Sequence, residues 1–183
     1  MDLLEYKIEV IRSDRRRKTI SARIKQNTMF VYVPEVISDT ELNKAIDSFT
    51  RKFQKRRLKR ELDETHDLKV IAKQLNSDYF NGSLYIESIE YAVNQDKIFG
   101  SCNYRTKRIR LSHRLAKMPH WVRDYVVIHE IAHLIEPNHS KAFWNIVYRY
   151  KLAERAIGYL IAQGFNLEEE QNGIENDNQE KNS

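Results

Sequence analysis

Residues 125–144 run YVVIHEIAHLIEPNHSKAFW, and they hold two features that pull against each other. Val126, Val127, Ile128, Ile131, Ala132, Leu134 and Ile135, with Val122 just before them, spread apolar side chains around much of a helical span. That pattern predicts a buried helix over about 120–135. Yet the same span carries His129, Glu130 and His133, and polar groups buried without partners are costly. Histidines four residues apart lie one helical turn apart on one face, with Cβ atoms about 5–6 Å from each other. Both imidazoles can then approach a single Zn²⁺ at about 2.0–2.1 Å. Glu130 is rotated about 100° from His129, outside the coordination sphere but within reach of a water beside the ion. A metal therefore satisfies the buried groups together. The plainer alternative, two core histidines on an amphipathic helix, must find each ring a separate partner.

A catalytic zinc usually takes three protein ligands and keeps one position open. His139 follows His133 by six residues, just past the break at Pro137, and a chain turning back through Glu136-Pro137-Asn138 can return it to the metal. Glu136 is the competing third ligand. Ser140 can cap a further helix to about Tyr150, and a last short helix is predicted over 152–163, before Gly164. Upstream, Pro119 suits the first turn of the motif helix. His113, after the apolar Ile109 and Leu111, could face a substrate, although an ordinary loop histidine would look the same. His120 lies near it in sequence, and His66 falls in a charged stretch. Cys102 reads as a buried structural thiol rather than a nucleophile, because a fourth protein ligand would close the site.

Residues 6–11 (YKIEVI), 19–25 (TISARIK) and 28–33 (TMFVYV) read as three short strands ending near Pro34, which suggests an antiparallel β-meander. Ser38 or Asp39 can cap a long helix to about Glu64, with Glu41 in its first turn and RKFQKRRLKR at 51–60. A second helix is predicted over Leu68–Phe80, closed by Asn81-Gly82. Residues 84–93 and 107–112 read as strands joined through Phe99-Gly100-Ser101-Cys102. The expected organisation is an N-terminal β-meander (1–36), a main domain (37–165) and a disordered acidic tail (166–183). No internal repeat is evident.

Composition bounds the class. The 183 residues carry a net charge of +5 and one cysteine. A lone cysteine excludes an internal disulfide framework and suits a reducing compartment. No apolar run approaches the ~18 residues of a membrane span, and MDLLEYKIEV does not resemble a signal peptide, so the expected location is the cytoplasm. Residues 168–183 hold six acids and one lysine, and without them the chain would carry +10. A basic body of that kind favours polyanions as partners, or simply solubility.

Beyond these readings, YVVIHEIAHLIEPNHSKAFW (125–144), FGSCNYRTKRIRLSHRL (99–115), RRRKTISARI (15–24) and LNSDYFNGSL (75–84) together resemble the YgjP-like metallopeptidase domain family, related to SprT-like and other minimal zincins. The resemblance covers the chain to about residue 165. It implies an α+β, zincin-like fold in which the active helix packs on a small sheet. It further implies His129, His133 and His139 as zinc ligands and Glu130 as the base. Where the family usually has Trp-Gly-Ser-Cys, this chain has Phe99 in place of the tryptophan.

The expected activity is a zinc-dependent metallohydrolase, most simply a metallopeptidase, with one Zn²⁺ per chain. Manganese or nickel would also suit three imidazoles. In peptide-cleaving zincins an edge strand aligns the substrate, and residues 107–112 are the candidate here. The resemblance also brings in UTP pyrophosphatase activity, for which Arg15, Arg16, Arg17, Lys18, Arg105, Lys107, Arg108 and Arg110 could bind a triphosphate, with His113 as a further substrate-binding candidate. A third reading is a nucleic-acid-associated, SprT-like protein contacting its partner through helix 51–60.

Overall fold

The computed structural model describes residues 6–65 and 67–164, so His66 and the acidic tail lie outside the described residues. The fold is α+β, and the chain divides into two compact units, one through Arg57 and one from Leu58.

In the first unit, β1 (Lys7–Ser13), β2 (Ser21–Lys25) and β3 (Thr28–Pro34) form one sheet. Met29, Val31 and Val33 alternate along β3 and are fully buried, as a strand with one covered face should be. Leu42, Ile46, Phe49 and Phe53 of α1 (Asp39–Thr65) pack against them. The start of α1 is a capping box: Ser38 Oγ accepts from the Glu41 N–H at 3.2 Å, and the Glu41 carboxylate accepts from the Ser38 N–H at 3.3 Å.

The expected antiparallel meander is not what forms. The strand order is β1-β3-β2, with β2 antiparallel and β1 parallel to β3. The reason lies in burial. The strand with three fully buried residues takes the centre, while Ile8, Val10 and Ile11 of β1 stay about 40% exposed at the edge (42%, 39% and 38%).

The second unit begins its own core with Leu58 and Leu62 from the last turns of α1. α2 (Leu68–Phe80) is capped by the Asp67 carboxylate, which accepts from the Lys69 and Val70 N–H groups. It ends at Asn81 in the left-handed region (φ 55°). The second sheet contains β4 (Ser88–Ala92), β5 (Gly100–Asn103) and β6 (Arg108–Ser112) in the order β4-β6-β5. Again the third strand is central, parallel to the first and antiparallel to the second.

Two expectations change here. Residues 107–112 are not an edge strand: β6, with Ile109 and Leu111 fully buried, is flanked on both sides. The edges on either side of it are β4 and β5; β5 forms where only a joining segment is expected, because four small or polar residues give little strand signal.

Helices α3 (His120–Ala132), α4 (Lys141–Val147) and α5 (Ala153–Ala162) complete this unit, after a 3₁₀ turn at His113–Lys117. The loop into β5 is tied down at three successive residues. Arg110 donates to the Asn94 side chain (2.9 Å), Ser112 Oγ to the Gln95 carbonyl (2.7 Å), and Arg114 to the Asp96 carbonyl (3.1 Å). Among the described residues, no helix is long and apolar enough to cross a membrane.

Candidate metal centre

α3 is buried over nearly its whole C-terminal half, so the polar side chains there have little access to water. His129 and Glu130 are each 2% exposed, and His133, at the helix cap, is 5% exposed. The helix tightens at its end, with Leu134 and Ile135 donating to the carbonyls three residues back. The chain then turns at Pro137, and Ser140 caps α4 by accepting from the Phe143 N–H (3.2 Å). That turn returns His139 to the first two histidines. His139 Nε2 lies 3.0 Å from His129 Nε2, and potential ligand atoms of all three residues lie within 4.8 Å of one another.

The electrostatics suit a cation. Burial, then the neighbouring His133 and His139, hold the His129 pKa well below its usual value. Burial and then His139 bring His133 down to about 4, and burial lowers His139. The three imidazoles are thus neutral at pH 7. His133 Nδ1 lies 3.2 Å from the Glu136 carbonyl oxygen. A carbonyl only accepts, so Nδ1 carries the proton and Nε2 keeps its lone pair. Two nitrogens bound to one tetrahedral zinc lie about 3.3 Å apart, close to the observed His129–His139 separation. The donor set fits a zinc-class ion.

Aromatic rings hold the imidazoles in place. Phe143 stacks on His133 (centroids 4.5 Å apart, 26° between planes) and presents an edge relation to His129 and His139. Trp144 stacks on His139 (5.6 Å, 26°). The sequence reading did not single out either ring. The signal was their position in the first turn after the Ser140 cap, where side chains project back over the residues just before the helix.

Glu130 packs against β5. A Cβ built on Gly100 would fall 2.7 Å from Glu130 Cδ and 2.8 Å from Cγ, and closer still to Oε1. Cys102, two residues along the same strand, has its thiol pKa pushed far up, by burial first and the Glu130 charge second. It is a protonated, half-buried thiol at neutral pH, in keeping with a structural role.

The remaining candidates are dispersed. Glu136 is not in the histidine group; its carbonyl orients His133. Arg108 is exposed at the start of β6, and Arg110 is committed to Asn94. His113, with Arg114, Lys117, Met118, Tyr159 and Gln163, lines a cavity of about 240 Å³ that includes none of the clustered histidines. Arg16 and Arg17 belong to the first unit, where Arg16 lies over the Tyr32 ring (5.4 Å). Arg51, Lys52, Lys55, Arg56 and Arg60 are exposed along α1.

Compared with known families, residues 5–151 match the YgjP-like metallopeptidase domain. None of the curated proteins or solved structures compared with the chain matches it. With the match spanning most of the sequence and a cluster of three histidines able to hold a metal within it, the chain belongs to the YgjP-like metallopeptidase domain family.

Proposed function

We propose that this protein is a zinc-dependent metallopeptidase in which His129, His133 and His139 hold the ion and Glu130 is the general base. The observation that carries the reading is the convergence of three neutral imidazoles, His129 and His133 buried and His139 half-buried, beside the buried carboxylate of Glu130. When bound, zinc supplies Lewis acidity to a water molecule and to the scissile carbonyl. Glu130 accepts a proton from the attacking water at a carboxylate oxygen and returns it to the leaving nitrogen. The Glu136 carbonyl keeps His133 in the tautomer that offers Nε2. Phe143 and Trp144 screen the imidazoles from water and fix their planes. Strand β5 starts against Glu130 and lies at the edge of its sheet, so an extended peptide pairing with that edge would run beside the base.

The test compares zinc-loaded protein with its Glu130→Gln variant on unfolded casein and on UTP. Casein cleavage should fall about 10²- to 10⁴-fold in the variant, with zinc content unchanged. Pyrophosphate release from UTP that Glu130→Gln abolishes, with casein left intact, would replace the peptide by a nucleotide as substrate. Zinc retained after His129→Ala plus His133→Ala would overturn the centre itself.

A further inference from the structure

Glycine is used in proteins for two different reasons, and Gly100 separates them. Gly82 and Gly164 adopt positive φ (66° and 87°), where side chains are strained. Gly100 does not, so its backbone would accept any residue. What forbids a side chain there is Glu130, whose Cδ, Cγ and Oε1 occupy the space a Cβ would need. Among the described glycines, Gly82, Gly158 and Gly164 have nothing within 4 Å of such an atom.

The strand cannot easily retreat to make room. Phe99, next to Gly100, is 1% exposed, and its carbonyl accepts from the Ser112 N–H at 2.8 Å. The Arg114 guanidinium lies over the Phe99 ring (4.4 Å) while donating to the carbonyls of Asp96 (3.1 Å) and Gln163 (2.8 Å). Gly100 itself pairs with Leu111 of the central strand. On the other side, Glu130 is carried on a buried turn of α3. With both backbones held, the Glu130 side chain is the part that must yield.

We propose that Gly100 is a positioning residue for Glu130: the bare Cα at the start of β5 is the wall against which the carboxylate is held, and a side chain there displaces the base while leaving the three histidines in place. The catalytic half of this statement rests on Glu130 being the base; the steric half does not.

Four proteins test it: wild type, Gly100→Ala, Glu130→Ala and the double variant, each measured for thermal midpoint without metal and for zinc affinity. Overpacking by one methyl should lower the midpoint of Gly100→Ala by about 4–8 °C. The same substitution should cost less than about a third of that in the Glu130→Ala background, because the three crowded atoms are gone. Zinc affinity should stay within about threefold of wild type, as the imidazoles do not move. Turnover of zinc-loaded Gly100→Ala, wherever the wild type turns over, should drop at least about tenfold at unchanged zinc content. An equal loss of midpoint in both backgrounds would overturn the proposal, as would full turnover in Gly100→Ala. If Gly100→Ala alone does not fold, the double variant must, and its failure also overturns the proposal. The midpoint comparison needs no substrate, so it stands whether or not the chain proves to be a peptidase.

Discussion

His133 shows how a single buried ring can tie stability to pH. Its usual pKa of 6.5 is brought down to about 4 in the folded protein, by burial first and the neighbouring His139 second. Folding therefore excludes a proton that the unfolded chain binds as pH falls below 6.5. The penalty is absent above that value, grows from 6.5 down to about 4, and is complete below. Between pH 7 and pH 5 the metal-free protein should lose about 2 kcal/mol from this residue. Urea denaturation of the wild type and of His133→Phe at the two pH values measures it: the variant should lose about 2 kcal/mol less, the remainder of the dependence coming from His129 and His139. At this scale the sequence was highly legible. The two-histidine helix pattern and the turn at Pro137 imply that His139 comes back to His129 and His133, and the three rings do meet. Spacing along one helix fixes such geometry locally. Gly100 was harder to read, because its meaning depends on an atom thirty residues away.

Among the elements, α4 matters out of proportion to its seven residues. It begins one residue after the Ser140 cap and supplies the rings that brace the histidines, while His139 stands directly before it. A helix so short has little stability of its own. Ser140→Ala should cost about 1 kcal/mol; because the cap also sets His139, zinc affinity should fall about fivefold. Asp67→Ala removes the cap of α2, distant in sequence from the histidines, and should cost about as much in stability while leaving zinc affinity unchanged. Titration with a chromophoric chelator, alongside urea curves, separates the two effects. Helices are also the most legible elements: the helix expected near Leu68–Phe80 forms over those residues, since a period of 3.6 repeats over several turns. Strands were read less well. Leu84–Glu87 fall outside β4, where the Asn76 side chain holds the Leu84 backbone instead (2.7 Å). Pairing order was not legible either, because alternation shows which face is buried but not which neighbour a strand takes.

For the molecule as a whole, metal and fold should be linked. An ion that binds only the folded second unit stabilises it by about 4 kcal/mol at free concentrations a thousandfold above its dissociation constant. Unfolding followed by circular dichroism with zinc and with EDTA should show this shift, and His139→Ala should abolish most of it. An equal shift in that variant would mean the ion stabilises the protein elsewhere.

Both sheets place their third strand between the first two, and that arrangement has a consequence for how the chain is made. During synthesis from the N-terminus, β1 and β2 leave the ribosome with no neighbour to pair with, and so do β4 and β5. Neither sheet can begin to zip until its final strand arrives, and then both ladders form around it together. The wall behind Glu130 is therefore built only once residues 108–112 have emerged. His129 and Glu130 follow within about twenty residues, so the seat for the base is finished shortly before the base itself emerges.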